Sequence, residues 1–282
     1  MKPTGRNKSL FGRQTLADVG LQPIASESKP SHPAADILAE AGAFGLLLVR
    51  TLRLIVTADT DKDTLKLAHR YTNKSLAFIA TAMGFVGMIM VYQSTEQLSR
   101  AIGDTHLVGA SFIKILVRVL GPTIVGMLIA CRVGAGIAAE IAAMAVTEQL
   151  DAMRMCAADP IEVIMVPRVR AGIVASLVLT VLGGAASAAA GFGTAAIMYT
   201  VSPGIFWNFD LVSNADILQG MVKAFAYGLV IPVVSGMYGF RATGGAKGVG
   251  KATTDAVVGA SFTIVLLDSI ISLAGHGTGG SI

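Results

Sequence analysis

Charged residues are scarce in this chain of 282 residues, since Asp, Glu, Lys and Arg together make up 14%, about half the share typical of a soluble domain. This scarcity excludes an ordinary soluble enzyme, and the 53% of hydrophobic residues excludes a disordered chain. Aromatic residues are also few, at 6%, whereas an outer-membrane barrel carries aromatic girdles. The 32 glycines instead favour closely packed transmembrane helices. The composition therefore predicts an all-α, polytopic integral membrane protein.

Cysteine is almost absent as well. Cys131 and Cys156 lie 25 residues apart, with no CxxC motif and no histidine pair beside them. A zinc site needs more ligands than this, so we expect two buried thiols, no metal and no cofactor. Residues 1–35 lack the apolar core of a signal peptide and carry four prolines among serines. We expect them to form a flexible cytoplasmic tail.

Five apolar stretches are long enough to cross a membrane, which takes about 20 apolar residues. They are residues 75–92, 107–131, 171–200, 217–240 and 256–275. Residues 36–57 differ, because their uncharged part is too short to cross and is followed by Arg50 and Arg53. There we expect an N-terminal interfacial helix whose arginines reach lipid phosphate.

The basic residues are distributed unevenly between the two sides of this arrangement. Eleven precede residue 75, four lie in residues 132–170 and three in residues 241–251. The opposite side holds only Arg100, and the remaining three lie within spans. The positive-inside rule then predicts a multi-pass protein of the bacterial inner (cytoplasmic) membrane with a cytoplasmic N-terminus and a periplasmic C-terminus.

Two glycine-rich segments resemble nucleotide-binding loops but lack the required context. Residues 133–140 match GxGxxA, although no strand is predicted before or after them, as a dinucleotide-binding fold requires. Residues 245–253 approach the Walker A pattern, but Ala252 stands where a magnesium-binding hydroxyl belongs. We therefore expect no catalytic residues, no ATP hydrolysis by this chain and no nucleic-acid partner.

The longest predicted cytoplasmic loop contains an amphipathic helix within residues 138–160. Its apolar stripe recurs at intervals of three and four residues and consists of Ala142, Val146, Leu150 and Met153. Other positions carry the acidic residues Glu140, Glu148 and Asp151. Two interpretations are open: an interfacial helix that only links two spans, or a cytoplasmic coupling helix that presents an acidic face to a soluble partner.

This region resembles the MlaE/YrbE permease family. The shared motifs are Gly121-Pro122, Arg132 with Gly134, Ala139-Glu140-Ile141 with Met144, Thr147 to Met153, Asp159-Pro160 and Pro167-Arg168. Further similarity at residues 204–207 and 248–272 extends the resemblance from about residue 75 to the C-terminus. A departure is Val119, beside Arg118, where the family favours an acidic residue.

The resemblance implies that residues 36–282 form the permease domain of an ABC-type lipid transporter. In such a complex two permease copies or homologues pair, an ABC ATPase subunit binds each of them from the cytoplasm, and MCE-domain proteins bind on the other face. Together they move phospholipids or other lipids between the inner membrane and the outer envelope. For residues 138–160, hereafter called the connector, the resemblance implies ATPase contacts at Glu140, Met144, Thr147, Glu148, Gln149 and Asp151.

Three of the four charged residues within the predicted spans require an explanation, because a charge at a helix centre costs about 2.5–3.5 kcal/mol on insertion scales. They are Arg118, Lys223 and Asp268, all expected in the outer half of the bilayer. Arg118 and Lys223 are predicted to contact an anionic lipid headgroup near the permease–permease interface. Asp268 is predicted to neutralise one of these cations when no lipid is bound. Lys114 is expected to extend to the outer interface.

Two other functions stay open on the sequence. An ion-coupled secondary carrier would use Lys223 and Asp268 as a charge-switching pair, although carriers usually show internal repeats that are not visible here. A non-transporting membrane scaffold would use the charges for packing alone.

The third predicted span carries small residues at every fourth position, namely Gly183, Ser187 and Gly191. Such a face permits close helix approach. We expect it to pack inside one bundle rather than to form a dimer contact.

Overall fold

The computed structural model describes residues 33–57, 62–101, 108–199 and 201–278, and every regular element in these ranges is helical. Five helices are long and apolar enough to span a membrane: α2 (Lys62–Ala101), α3 (Val108–Val146), α5 (Ile161–Tyr199), α7 (Asn214–Phe240) and α8 (Ala246–Thr278). The others are α1 (Pro33–Thr57), α4 (Gln149–Met155) and α6 (Pro203–Phe206). The predicted all-α fold with five spans is confirmed. Most of the predicted N-terminal tail lies outside the described residues.

The helices are longer than the apolar stretches that predicted them. α2 has 40 residues and is therefore about 60 Å long, twice the thickness of a hydrocarbon core. Its first turns are polar but contain neither proline nor glycine, so the helix continues past the end of the apolar stretch. Hydropathy thus locates the membrane crossing but not the ends of the helix.

α2 and α5 pack side by side in the same direction. The small-residue face of α5 forms the contact through three pairs, Gly183 with Met83, Ser187 with Gly87 and Gly191 with Val91. A Cβ atom on Gly87 would clash with the carbonyl oxygen of Ser187, so the two backbones touch there. The prediction that this face packs inside one bundle is confirmed.

We predict that Ser187→Leu prevents this packing, because Ser187 is fully buried against the α2 backbone. Overfilling a packed contact typically costs about 1–3 kcal/mol, and here the backbone of α2 would have to move. The expected result is loss of the monodisperse peak in size-exclusion chromatography after detergent extraction. Ser269→Leu, at an exposed position of α8, is the control. A Ser187→Leu variant that elutes like the unmodified protein would contradict the packing.

The five long helices alternate in direction along the chain. α3 and α7 run parallel, since Gly126 lies against Tyr227 and Gly134 against Ser235. α5 is antiparallel to α7, and α7 and α8 form an antiparallel hairpin around residues 241–245. The start of α2 and the end of α8 therefore lie at opposite ends of the bundle.

α3 remains helical through Pro122, although proline in a helix interior usually kinks or breaks the helix. The backbone N–H of Gly121 donates to the carbonyl oxygen of Leu116, five residues earlier, and closes a π-helical turn over Leu116–Leu120. Proline has no N–H to donate, and a wider turn is one way in which a helix accommodates this loss. Arg118 lies in the middle of this turn.

α1 covers the segment predicted as an interfacial helix, and it is not among the helices that could span a membrane. Leu47 and Thr51 are buried against the bundle, whereas Leu46 and Val49 are exposed. Arg50, predicted to reach lipid phosphate, instead pairs with a carboxylate of the same chain.

The prediction of buried thiols is wrong, because Cys131 and Cys156 are both free and exposed. Cys131 lies on a spanning helix, and Cys156 follows the short helix α4. On a membrane-spanning helix an apolar side chain can face lipid, so low polarity does not predict burial inside the protein.

Candidate functional site

A column of polar side chains lies where α3, α7 and α8 meet. α7 contributes Asp216 and Lys223, which are two helical turns apart on one face. α3 contributes Arg118 and α8 contributes Asp268. The column therefore consists of two ion pairs about 10 Å apart along α7.

The first ion pair joins α7 to α8. Lys223 Nζ lies 2.7 Å from Asp268 Oδ1 and donates a hydrogen bond to Ser272 Oγ at 2.9 Å. Tyr227 donates its hydroxyl proton to the same Asp268 oxygen at 2.8 Å, and the Thr123 hydroxyl lies 2.8 Å from it. The Lys223 side chain is fully buried and that of Asp268 is 20% exposed. These contacts compensate both charges for the loss of water.

The second ion pair joins α3 to the start of α7. Arg118 Nη1 lies 3.2 Å from Asp216 Oδ1. The other carboxylate oxygen accepts a hydrogen bond from the backbone N–H of Ser213 at 3.1 Å, as part of a capping box. A carboxylate at this position also interacts favourably with the helix dipole. Asp216 therefore pairs with the guanidinium of Arg118 and also stabilises the N-terminus of α7.

Gly220 lies on α7 between the two ion pairs. A Cβ atom at this position would clash with the carbonyl oxygen of Val117 on α3. The backbones of α3 and α7 are thus in contact one helical turn from Asp216. A larger residue here would push α3 outward and separate Arg118 from its carboxylate.

The structure gives the two predicted headgroup cations separate carboxylate partners. Asp268 pairs with Lys223. Asp216, the partner of Arg118, is missing from the predicted site, although the Ser213-x-x-Asp216 pattern is a recognisable capping box. Asp216 supplies the counter-charge that Val119 does not provide within α3.

The connector contains two helices instead of the single predicted helix. α3 ends at Val146, Glu148 adopts a left-handed conformation with φ of 59°, and α4 begins at Gln149. The predicted apolar stripe is nevertheless on the protein side, since Ala142 and Leu150 are buried. The tight turn at Glu148 leaves the apolar residues of both helices on the same side. The apolar periodicity of the sequence therefore does not reveal that the helix is broken there.

Four of the six predicted ATPase contacts are exposed together at this turn, namely Thr147, Glu148, Gln149 and Asp151. Met144 is partly buried against the core. Glu140 lies two turns before this exposed turn, and its side chain is 40% exposed. Its carboxylate pairs with Arg168 of α5 at 3.1 Å and with Arg70 of α2 at 3.6 Å. Glu140 therefore fastens the end of α3 to two other helices.

Asp159 provides a similar fastening at the far end of the connector. Its Oδ2 atom pairs with Arg50 of α1 at 2.6 Å, and its Oδ1 atom accepts a hydrogen bond from the backbone N–H of Ile161 at 3.0 Å. The connector is consequently held to α1, α2 and α5, while the turn at Glu148 remains exposed.

The sequence profile described as Permease MlaE matches residues 64–274, which include both ion pairs and the whole connector. This chain belongs to the MlaE permease family. A probable ABC transporter permease protein of Rickettsia typhi is 35% identical over 200 residues, which cover 70% of this chain and 77% of that protein. A probable ABC transporter permease protein of Synechocystis is 35% identical over 224 residues, covering 77% and 84%.

A third relative is the protein TRIGALACTOSYLDIACYLGLYCEROL 1, chloroplastic, of Arabidopsis thaliana. It is 34% identical over 217 residues, which cover 75% of this chain and 61% of that protein. Together with the five apolar helices, these comparisons make this MlaE permease a multi-pass membrane protein and the permease subunit of an ABC transporter. This assignment replaces the alternatives of an ion-coupled carrier and a scaffold.

Proposed function

We propose that this MlaE permease moves phospholipids or related lipids between the bacterial inner membrane and the outer envelope, with ATP hydrolysed by a separate subunit. The proposal rests on the two ion pairs that lie inside the apolar bundle. Their charged side chains offer polar partners for a headgroup, and the apolar surface beside them can hold acyl chains. The name of the Arabidopsis relative, which is that of a glycolipid built on diacylglycerol, supports a lipid substrate.

The proposed orientation places the N-terminus in the cytoplasm and the C-terminus in the periplasm. The start of α2, the connector and the turn between α7 and α8 lie at one end of the bundle. Segments of the sequence assigned to this end carry eighteen of the 22 basic residues. Such an excess is typical of the cytoplasmic side.

The exposed turn at Glu148 is the proposed docking point of the ABC ATPase. It carries the carboxylate of Glu148, which favours a basic group on the partner. The neighbouring Asp151 is exposed but pairs with Arg154 at 2.8 Å. Glu140 holds the adjacent end of α3 to α2 and α5. A movement of the turn would therefore be transmitted to three spans as a rigid-body shift.

A second permease copy or homologue and an MCE-domain protein complete the proposed complex. The outer half of α7 supports a second permease, because it exposes a row of large apolar side chains, Ile217, Leu218, Met221, Val222 and Phe225. This row lies on the helix that carries Asp216 and Lys223. A pairing there would enclose an apolar space beside the two ion pairs.

The proposed headgroup contacts require phosphate to exchange with carboxylate. Arg118 is the accessible partner, since 25% of its side chain is exposed, and a guanidinium can bind phosphate through two hydrogen bonds. Lys223 is fully buried, so a headgroup reaches it only after α7 and α8 separate near Asp268. We therefore expect Arg118 to bind lipid first and Lys223 to bind it in an opened state.

The proposal predicts that combining Arg118→Gln with Lys223→Gln lowers bound phospholipid per complex and lipid export, while ATPase association is retained. Glutamine keeps hydrogen bonding but removes the positive charge that phosphate requires. The measurements are mass spectrometry of co-purified lipid and transfer of labelled lipid between membranes. Lys114→Gln, on the same helix as Arg118, is the control.

A companion variant adds Asp216→Asn and Asp268→Asn, so that no carboxylate is left unpaired. It should fold like the unmodified protein and still lose lipid. Unchanged lipid occupancy and export in this companion would mean that the cations are structural and that the headgroup site lies elsewhere.

A further inference from the structure

The chain between α5 and α7, residues 201–213, hereafter called the aromatic loop, is anchored to the bundle by one side chain. Phe206 is fully buried. The centroid of its ring lies 6.3 Å from that of Phe112 on α3 and 5.5 Å from that of Phe192 on α5. A Cβ atom on Gly109 of α3 would clash with the backbone of Phe206. The aromatic loop is therefore held against two spanning helices.

Three other large apolar side chains of the aromatic loop remain exposed. Trp207 is 40% exposed, Phe209 is 56% exposed and Leu211 is 41% exposed. The ring centroids of Trp207 and Phe209 lie 6.4 Å apart, so the two rings form one continuous patch. A clustered apolar patch of this kind marks a surface that contacts something other than water.

The aromatic loop folds back along α5. The ring centroid of Trp207 lies 6.0 Å from that of Phe192, which is seven residues before Tyr199 at the end of α5. Seven helical residues span about 10 Å. Beyond the level of Phe192, α5 still exposes the apolar side chains of Ile197 and Met198. The aromatic patch thus lies closer to the middle of the bundle than the exposed apolar end of α5 does.

The neighbouring helix α2 indicates that this level is the edge of the membrane. Gly191 of α5 lies against Val91 of α2, so Phe192 is level with Tyr92, the last residue of the predicted crossing. Tyr92 is 47% exposed, and the first charged residue that follows it is Glu96. Tryptophan and tyrosine are enriched at this boundary between headgroups and hydrocarbon in membrane proteins.

The polar groups of the aromatic loop suit the same boundary. Asp210 is the only charged residue in the sequence of the loop, and its side chain is exposed. Its backbone N–H donates a hydrogen bond to Asn208 Oδ1 at 2.8 Å. The backbone N–H of Val212 donates to the carbonyl oxygen of Phe209 at 2.9 Å. Such local hydrogen bonds compensate backbone groups that lose water at a lipid surface.

We propose that the aromatic loop inserts into the lipid leaflet at the end of the bundle opposite the connector. Trp207, Phe209 and Leu211 lie at the boundary between headgroups and hydrocarbon, while the carboxylate of Asp210 stays on the water side. The inference depends on the five spans, but neither on the proposed lipid transport nor on the proposed orientation.

Insertion of the aromatic loop has a consequence for the nearby ion pair. Ser213 ends the loop and caps α7 together with Asp216, which pairs with Arg118. A loop held in the leaflet therefore fixes the depth of the first turn of α7, and with it the depth of the Arg118–Asp216 pair below the membrane surface.

The test uses the fluorescence of Trp207, the only tryptophan of the chain, in full-length protein reconstituted in phosphatidylcholine vesicles. The quenchers are acrylamide in the water, bromine near the headgroup end of the acyl chains and bromine near their methyl ends. Two reference probes are built in a Trp207→Phe background. Phe85→Trp, at an exposed position within the predicted α2 crossing, reports the hydrocarbon interior. Lys247→Trp, exposed in the first turn of α8, reports water.

We expect bromine near the headgroup end to quench Trp207 severalfold more strongly than bromine near the methyl ends, and the Phe85→Trp probe to show the opposite order. Acrylamide should quench Trp207 severalfold less than it quenches the Lys247→Trp probe. Phe209→Ser combined with Leu211→Ser keeps the fluorophore and the Phe206 anchor, and it should raise acrylamide quenching of Trp207. Phe209→Leu, which stays apolar, should leave this quenching unchanged.

Three results would overturn the proposal. Acrylamide quenching of Trp207 equal to that of the Lys247→Trp probe would mean that the aromatic loop lies in water. Protection of Trp207 from all three quenchers would mean that protein, such as a second copy of the chain, covers it. The same bromine order as at Phe85→Trp would place the loop in the hydrocarbon interior. Lipid transport plays no part in these measurements, so a failure here is distinguishable from a failure of the proposed function.

Discussion

Lys223→Met should destabilise the permease by about 3–5 kcal/mol, the usual consequence of breaking a buried ion pair by removing one partner. Methionine keeps the length of the side chain, but it leaves the carboxylate of Asp268 without a cation in an apolar bundle. Tyr227 and Thr123 still contact this carboxylate, but neither brings a positive charge. The measurement is thermal unfolding of the purified protein in detergent.

The matched control combines Lys223→Met with Asp268→Asn and so removes both charges. We expect it to recover most of the lost stability, since the amide oxygen can still accept the hydrogen bond from Tyr227. If the single variant were as stable as the double variant, the ion pair would contribute nothing to folding. The double variant also separates structure from transport, because a stable protein with normal lipid export would show that Lys223 does not contact the headgroup.

Glu148→Lys should abolish lipid export and weaken retention of the ATPase by about 100-fold, because like charges placed together at an interface cost several kcal/mol. Membrane insertion and folding should be unaffected, since Glu148 is exposed at the turn between α3 and α4. The measurements are co-purification of the ATPase subunit and transfer of labelled lipid between membranes.

Two further variants separate charge from backbone geometry at this turn. Glu148→Gly removes the carboxylate but suits the left-handed conformation, with φ of 59°, so it should give an intermediate loss of ATPase binding. Asp210→Lys makes the same charge reversal at an exposed position near the other end of the bundle, and it should have no effect on ATPase binding. Normal ATPase retention and export in Glu148→Lys would leave the connector as a simple surface link.

Local patterns in the sequence were sufficient to predict most of the helical architecture. The length of each apolar stretch predicts a span regardless of its neighbours, and the small residues around Ser187 indicate a face that can touch another backbone. The apolar stripe through Leu150 likewise predicts which side of the connector is buried. None of these features requires knowledge of which helices become neighbours.

The break at Glu148 shows where local patterns stop being sufficient. A glutamate with positive φ has no propensity signal, because glycine and asparagine are the residues that usually mark such a turn. The exposure of Cys131 has a related cause, since composition does not distinguish a side chain that faces lipid from one that faces protein. Each of these features depends on how the helix is rotated in the bundle.

The sequence by itself determined the number, order and alternation of the spans, because crossing a membrane depends on local apolar length and on the charges beside it. The tertiary structure decided which charges meet. Arg118 and Asp216 are 98 residues apart in the chain, and Glu140 and Arg168 are 28 apart. Such pairs depend on the register and rotation of neighbouring helices, so the sequence supplied the cations while only the packed bundle assigned a carboxylate to each.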